Sequence, residues 1–325
     1  MRGAWAVMTQ TDVQIGDQIQ NRYTVEDTIG AGGFATVYIA RDKVIDRPVA
    51  IKVLKIGLAS GGDLDEVRRT RKRFLREARV AAAISHPSIL DIYDFGLLQE
   101  SGAPFIVMEY LQGHNLFDEI QDHGPLLPEW LLPNFCQLLD ALGEAHNQGI
   151  VHKDLKPGNI FLNKPGTRRE TWKVVDFGIA YVNNPADPRL TKTGFLSGTP
   201  QYLPPEYIQK QEVSARMDVY QMGLTLTEAL CGEPAVPDRK PFQAARRHIS
   251  GDLNIPEEVM EGALGKVLRK ALAVEPEDRY GTGMEFADAL DEVDVREVPS
   301  FARPASERAR KTSKWVKIQG PGESY

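Results

Sequence analysis

The first third of the chain alternates short hydrophobic runs with turn residues. The runs are rich in Val, Ile, Tyr and Phe and are separated by Gly, Asp or Pro, a pattern typical of β-strands. Residues 65–84 differ, because they contain strong helix formers with Ala-rich spacing and end before His86 and Pro87, where a helix is expected to stop. We therefore predict a small antiparallel sheet with one helix, its strands at residues 23–29, 36–41, 49–54, 89–97 and 105–108.

Beyond Gly113 the spacing of apolar residues changes to helical periods. Gly149 and Gly232 stand where glycines commonly end helices. A loop-rich region, residues 150–207, follows the first long helical stretch and contains the charged motifs of the chain. This second part is therefore predicted to be mainly helical, with helices at residues 130–146, 213–230, 241–249, 258–273 and 283–291.

The predicted elements define two lobes with a segment on either side. We place an N-terminal extension at residues 1–22, an N-lobe at 23–110 and a C-lobe at 111–291. Residues 292–325 are predicted to be a flexible basic tail, since seven basic and three acidic side chains from position 296 onward give a local charge of +4. The sequence leaves open whether Met1 or Met8 is the true start.

Composition and charge narrow the classes of function. With 42% hydrophobic and 26% charged residues, 325 residues suffice for two globular lobes. A formal net charge of −6 gives no general attraction to nucleic acid, and the basic cluster at residues 68–79 is expected to be a solvated helix face. The two cysteines show neither zinc nor disulfide spacing, and no long uncharged apolar run occurs. We therefore expect a cytoplasmic protein without a membrane span.

Two neighbouring segments contain the groups that phosphoryl transfer from ATP requires. Residues 152–159 read HKDLKPGN, and residues 174–178 read VVDFG. An Asp that accepts the hydroxyl proton, an Asn five residues later and an Asp-Phe-Gly aspartate form the protein kinase pattern, and Asp154, Asn159 and Asp176 fit it in order. A polar loop followed by a turn is the alternative, and chance rarely produces the full string.

Two motifs in the first part of the chain point to the same chemistry. Residues 30–37 read GAGGFATV between two predicted strands, where glycines let the backbone fold tightly over phosphates, although such a run is more often a simple turn. Residues 49–52 read VAIK, which places Lys52 toward the same cleft. Glu77 is the candidate carboxylate partner of Lys52, or equally one member of a solvated, arginine-rich helix face.

With these motifs the chain resembles the eukaryotic-type protein kinase family, and within it the Ser/Thr kinases of bacteria. The resemblance covers residues 23–291 and implies an α+β, bilobal protein kinase fold. It implies a transferase of signal transduction that phosphorylates Ser and Thr hydroxyls of proteins, with ATP and Mg²⁺, or Mn²⁺, as cofactors. Asp154 would accept the proton of the attacking hydroxyl, and Lys156 would neutralise charge on the γ-phosphoryl group.

The resemblance also implies a set of binding residues. Asn159 and Asp176 would hold the metal ions, and Lys52, paired with Glu77, would contact the α- and β-phosphates. Met108 would be the gatekeeper beside the adenine. The nucleotide-binding residues implied in this way are Gly30, Ala31, Gly32, Gly33, Phe34, Val37, Ala50, Lys52, Met108, Glu109, Leu111 and Phe161.

A further segment, residues 198–206, reads GTPQYLPPE and resembles the end of a kinase activation loop. Glu206 is expected to pair with Arg279, and Asp218 is expected to brace the backbone of the catalytic loop. In the family, Lys156 together with Thr199 marks specificity for Ser and Thr rather than Tyr.

Two regulatory expectations come from departures from the family pattern. Lys153 stands where most of these kinases have Arg, so a phosphorylated activation loop would dock more loosely, and Arg73 would add a second cation there. We expect autophosphorylation of Thr191 or Thr193 to tune activity rather than to gate it.

Other functions and partners stay open at this point. A pseudokinase scaffold is the alternative function, with little support because the expected catalytic residues are all present, and a small-molecule kinase conflicts with residues 198–206. Protein substrates are the expected partners and nucleic acid is not. Gly158 and Asn115 stand where kinases selecting basic substrates carry acids, so no preference for upstream arginine is expected. Pairing of two N-lobes occurs in the family, and these residues do not establish it.

Overall fold

A computed structural model describes residues 13–32, 35–55, 64–177 and 199–302, with the backbone alone at residues 64–67, 70 and 73. Its first part is an antiparallel sheet with the strand order β1-β2-β3-β4-β6-β5. One helix, α1 (Leu64–Ala81), packs against this sheet. It follows β4 and precedes β5 in the sequence. The strands are β1 (Gln18–Ile19), β2 (Tyr23–Ala31), β3 (Ala35–Asp42), β4 (Arg47–Leu54), β5 (Ile92–Leu97) and β6 (Pro104–Glu109).

The alternation of apolar side chains explains how this sheet buries its two faces. Val49, Ile51 and Val53 of β4 are buried in one cluster with Tyr23 and Phe105. The other face packs in a second, larger cluster, which continues into the C-terminal part of the chain. Since residues of one strand alternate between faces, a single run of β-branched residues stabilises both layers.

The C-lobe combines a short antiparallel sheet with a set of helices. The sheet has the order β7-β8-β9 and lies next to the connection from the N-lobe. Its strands are β7 (Gly113–Asn115), β8 (Ile160–Asn163) and β9 (Thr171–Val174). The helices are α2 (Leu116–His123), α3 (Pro128–Asn147), α4 (Pro205–Lys210), α5 (Ala215–Cys231), α6 (Pro241–Ser250), α7 (Glu257–Met260), α8 (Gly262–Ala271) and α9 (Gly283–Asp291).

Helix α5 lies in the centre of the C-lobe. Its residues from Met217 to Leu230 are all buried, including the polar side chains of Asp218, Gln221 and Glu228. A helix buried on every side needs no polar face, and the polar groups that it does contain must find internal partners. Those partners are the segments that form the candidate site.

The structure confirms the predicted fold class and differs from the prediction in several elements. The helix predicted over residues 258–273 is two helices, α7 and α8, because Glu261 is extended and Gly262 has a φ of +63°. Helix α2 and strands β7 to β9 were not predicted. Asn115 caps α2 by accepting a hydrogen bond from the Asp118 amide at 2.9 Å.

Residues on both sides of the predicted domain also contribute to the fold. Strand β1 lies within the predicted N-terminal extension, where Ile19 is buried. In the predicted tail, residues 292–302 include a 3₁₀ turn, and Val293 and Val298 are buried in the large core cluster. No helix in the part of the chain that the structure describes is long and apolar enough to cross a membrane.

Candidate active site

Side chains of helix α5 hold the loop of residues 152–159 in place through hydrogen bonds. The buried carboxylate of Asp218 accepts hydrogen bonds from the backbone amides of His152 at 2.7 Å and Lys153 at 2.8 Å. Its third partner is the buried ring of His146, whose Nε2 lies 3.0 Å from Oδ2. Hydrogen bonds to a buried carboxylate are charge-assisted and strong. The structure thus confirms the predicted bracing role of Asp218.

A second α5 side chain, Gln221, holds the same loop. Its Oε1 accepts from the Leu155 amide at 3.0 Å, and its Nε2 donates to the carbonyls of Lys153 and Tyr202, each at 3.2 Å. Lys153 has a φ of +74°, a conformation that costs a residue with a side chain about 1–2 kcal/mol. The hydrogen bonds from α5 offset that cost, so the loop keeps a shape that its own sequence disfavours.

Asp154 lies at the centre of a cluster of hydrogen-bonding side chains. Lys156 Nζ donates to its Oδ2 at 2.8 Å, and Asn159 Nδ2 lies 3.1 Å from the same oxygen. Asn159 also donates to the Asp154 carbonyl at 2.7 Å, while Lys156 reaches Thr199 Oγ1 at 3.2 Å. The carboxylate is therefore fixed in direction, and its side chain is 26% exposed, so it is accessible to a group docked in the cleft.

Asp176 lies on the other side of the cleft and contacts the N-lobe. Its Oδ1 is 2.6 Å from Lys52 Nζ. Burial raises the pKa of the Asp176 carboxyl, but the attraction of Lys52 and their hydrogen bond outweigh burial, so this pKa lies below its usual value. Asp176 has a φ of +63°. The carboxylate therefore stays ionised at neutral pH and available to a cation.

The segment around Asp176 is connected to the catalytic loop through His152. The ring donates from Nε2 to the Val175 carbonyl at 2.9 Å and accepts the Asp154 amide at Nδ1, at 3.3 Å. It also packs edge-on against Phe177, with ring centroids 4.8 Å apart. One neutral tautomer satisfies both bonds. The ring therefore fixes the positions of Asp154 and Asp176 relative to each other.

The predicted metal ligands, Asn159 and Asp176, offer oxygen atoms suited to Mg²⁺. Asn159 uses its amide nitrogen for Asp154, so the amide oxygen is the atom that it can present to a metal. Among the described residues no group of three or more His, Cys, Asp or Glu side chains could hold a metal ion. Mg²⁺ is commonly bound by one or two protein oxygens together with substrate phosphates, and this donor set fits that pattern.

The structure places the predicted phosphate-binding residues around the start of the sheet. Gly30 and Ala31 end β2, and Gly32 follows, with its amide 2.9 Å from the Ala35 carbonyl. Lys52 lies on β4 and Glu77 on α1, both half-buried. Lys52 contacts Asp176 in this structure. The Lys52–Glu77 pair stays a prediction.

The predicted adenine site is assembled from both sheets. Val37 pairs with Lys52 across β3 and β4, and Ala50 pairs with Met108 across β4 and β6. Phe161 comes from β8 in the C-lobe. Met108 borders a cleft that Lys52, Asp176 and Phe177 also line. Glu109 and Leu111 belong to the hinge, residues 109–112, which connects β6 to β7.

Residues 199–206 form a platform fixed to the C-lobe core. Glu206 and Arg279 make a buried, two-pronged ion pair with both distances at 2.9 Å, which confirms that predicted contact. Tyr202 donates to the buried carboxyl of Glu228 at 2.5 Å. His248 Nε2 donates to the Pro200 carbonyl at 3.0 Å.

Some predicted residues lie outside the described part of the chain. They are Gly33 and Phe34 of the glycine-rich loop, the two activation-loop threonines Thr191 and Thr193, and the side chain of Arg73. Lys153 has its backbone fixed by Asp218. The regulatory roles of these residues remain predictions.

Two residues that support the site were not predicted from the sequence. Gln221 follows Asp218 by one helical turn, and that spacing was the available signal for a second bracing side chain. Lys173 ends a polar-looking stretch, yet it is buried and its ammonium lies 2.6 Å from Glu109. Nothing in the local sequence indicates that distant partner.

Comparisons with known proteins point to one family. A family model described as the protein kinase domain matches residues 23–291. Serine/threonine-protein kinase PknB of Mycobacterium tuberculosis is 36% identical over 297 residues, which is 90% of this chain and 46% of the relative. A probable serine/threonine-protein kinase PknB of Corynebacterium glutamicum is 34% identical, over 88% of this chain and 44% of the relative. The chain thus spans less than half the length of these two relatives.

A solved structure is similar in fold as well. The crystal structure of the Mycobacterium tuberculosis PknI kinase domain aligns with a TM-score of 0.63 and 29% sequence identity. The alignment covers 86% of this chain and 99% of that one. Both lobes described above are therefore shared with this solved kinase domain.

Proposed function

Because this chain belongs to the protein kinase family, we propose that it transfers the γ-phosphoryl group of ATP to serine and threonine hydroxyls of proteins. The observation that supports this most is the cluster around Asp154, across the cleft from Lys52 and Asp176. Lys156 and Asn159 both donate to one oxygen of its carboxylate, and Lys156 also donates to the Thr199 hydroxyl. The family uses ATP and a divalent metal, and we propose Mg²⁺ here, with Mn²⁺ as a substitute.

In the proposed reaction the substrate hydroxyl oxygen forms a bond to the γ-phosphorus, and the bond from that phosphorus to the β–γ bridging oxygen breaks. The hydroxyl proton passes to the Asp154 carboxylate, and ADP leaves with the bridging oxygen. Lys156, whose Nζ lies 2.8 Å from Asp154 Oδ2, stabilises negative charge on the transferred group. A metal held by Asn159 and Asp176 supplies charge neutralisation at the phosphates. Because the transition state is loose, position matters more than base strength.

Substrate choice follows from the surface near the cleft. The Asn115 side chain caps α2 and Gly158 has no side chain, so neither presents an acid to a basic substrate. We therefore propose a kinase without selection for upstream arginine, and a peptide-library screen showing strong arginine selection would contradict this. Autophosphorylation at Thr191 or Thr193 is part of the proposal. So is a reducing, cytoplasmic setting, which the two free, half-buried cysteines support.

The deciding experiment is transfer of labelled γ-phosphate with Mg²⁺ to the chain itself and to generic protein substrates. We expect label on Ser or Thr, and a loss of at least about 10²-fold in Asp154→Asn. Asp122→Asn, an exposed carboxylate on α2, is the matched control and should keep full activity. Mass spectrometry should locate phosphate at Thr191 or Thr193, and the double Thr→Ala variant should keep measurable activity.

A scaffold is the second candidate, and the same assay separates it from an enzyme. ATP binding without transfer to any Ser or Thr would make the scaffold the better description. A wild-type protein that transfers label at the same rate as Asp154→Asn would remove Asp154 from the mechanism.

A further inference from the structure

A buried lysine connects the hinge to the strand that leads to Asp176. Lys173 lies on β9, and its side chain is 9% exposed. Its ammonium lies 2.6 Å from Glu109 Oε1 in the hinge and 3.0 Å from the carbonyl of Ile89. Lys173 therefore bonds to a hinge side chain and to the loop between α1 and β5 at once.

The partners of Lys173 are themselves tied together. The Glu109 amide donates to the Asp91 carbonyl at 3.0 Å, and Glu109 Oε1 accepts the Asp91 amide at 3.0 Å. The loop that contains Asp91 also pairs with β9, because Leu90 donates to the Val174 carbonyl at 3.1 Å. Hinge, loop and strand thus form one junction.

The junction touches both ends of the proposed nucleotide site. Glu109 begins the hinge backbone, which is proposed to contact adenine, and Asp176 follows Lys173 by three residues and is proposed to hold the metal at the phosphates. We propose that Lys173 is a positioning residue for the adenine end of the ATP site. It holds the hinge at a fixed distance from the strand that supports Asp176, and this inference rests on the proposed function.

A purely structural role would predict a different result. Replacing a buried ion pair with apolar side chains of similar size is often neutral for stability, so stability alone does not require a lysine here. A lysine that only fills space would leave nucleotide affinity unchanged once methionine fills the same volume. A positioning lysine makes adenine binding depend on the charge pair with Glu109.

The test uses Lys173→Met, Glu109→Gln and the double variant of the whole chain, with adenosine and tripolyphosphate as separate probes of the two ends of the site. In Lys173→Met we expect adenosine affinity and the KM for ATP to worsen about fivefold to tenfold, the equivalent of loosening one or two hinge hydrogen bonds. Tripolyphosphate affinity and kcat should stay within about twofold. The double variant should resemble either single variant, since both remove the same interaction.

Two further variants complete the design. Lys173→Arg keeps the charge and should bind adenosine nearly as wild type does, which also supplies the comparison if Lys173→Met unfolds. Lys266→Met, at an exposed position on α8, should change nothing. Unchanged adenosine affinity in folded Lys173→Met, equal losses for both probes, or additive losses in the double variant would overturn the inference. Wild-type protein that binds neither ATP nor adenosine would instead remove the proposed function.

Discussion

The buried His248 is expected to make the stability of the C-lobe depend on pH. It lies on α6 and is fully buried. Its Nδ1 accepts the Tyr220 hydroxyl at 2.9 Å while its Nε2 donates to the Pro200 carbonyl at 3.0 Å. Both bonds are satisfied by a neutral ring with its proton on Nε2. Protonation would place a charge in a buried site, so acid should weaken this part of the fold.

The size of the effect follows from the pKa of His248. Burial lowers this pKa from 6.5 to about 4, with backbone hydrogen bonds opposing the change in part. Below pH 6.5 the unfolded chain binds a proton that the folded chain does not, so stability is full above pH 6.5 and is lost as the pH falls toward 4. The loss from His248 is about 2 kcal/mol at pH 5 and approaches about 3 kcal/mol at lower pH.

Urea unfolding at a series of pH values from about 7.5 to 5 measures this loss. Other groups titrate in the same range, so the informative quantity is the difference between wild type and His248→Gln, which cannot bind the proton. We expect the variant to be less stable at pH 7.5, since it loses buried hydrogen bonds, but to lose about 2 kcal/mol less than wild type on going to pH 5. His123→Gln, at a more exposed histidine on α2, is the control.

Equal acid losses in His248→Gln and wild type would refute the reasoning. The ring would then take up its proton over the same pH range in the folded and the unfolded chain, with the Tyr220 oxygen accepting its second N–H. Such a result would also mean that the contact with Pro200 tolerates a charged ring.

Three further variants probe the platform and the loop. Asp218→Asn removes one acceptor from two backbone amides and should lower the unfolding free energy by about 2–4 kcal/mol in urea titration, with Asp122→Asn unchanged. Arg279→Lys cannot reproduce the two-pronged contact with Glu206 and should cost about 2–4 kcal/mol by the same assay; a loss below about 0.5 kcal/mol would show the pair to be dispensable. Tyr202→Phe removes the hydroxyl that lowers the pKa of Glu228, which burial already raises. A carboxyl group whose pKa is raised by folding makes the folded state less stable as the pH increases. Tyr202→Phe should therefore be nearly as stable as wild type near pH 4 and about 1–3 kcal/mol less stable at pH 8. A stability difference that does not change with pH would contradict the effect of Tyr202 on the Glu228 pKa.

Local patterns in the sequence were sufficient for the elements with strong periodicity. The run of β-branched residues at positions 49–54 predicted β4, and the motif at residues 152–159 predicted the loop at Asp154. Strands β7 to β9 were not predicted, because they are three or four residues long and their pairing joins positions such as 115 and 161. Short strands of mixed polarity gain their stability from partners that no local pattern reveals.

The contacts within the site divide in the same way, into those between neighbours in the sequence and those between distant positions. Asp154 and Asn159 are close in sequence, so their arrangement follows from the motif. Lys52 and Asp176 are separated by 124 positions, so no local pattern indicates their contact. The predicted pairing of Lys52 with Glu77 stays a prediction. The break at Gly262 was not predicted, since an isolated glycine within a helical pattern is tolerated at a cost of about 1 kcal/mol and does not by itself mark a helix end.

The position of Asp218 along the chain has a consequence for synthesis on the ribosome. His152 is translated 66 residues before the carboxylate that holds its amide. At about 5–20 residues per second, the loop at Asp154 waits roughly 3–13 seconds before α5 exists to shape it. Glu206 is likewise translated 73 residues before its partner Arg279. A nascent chain therefore completes its motifs well before it can assemble them, and competence for the proposed ATP chemistry should appear only when most of the C-lobe has been made.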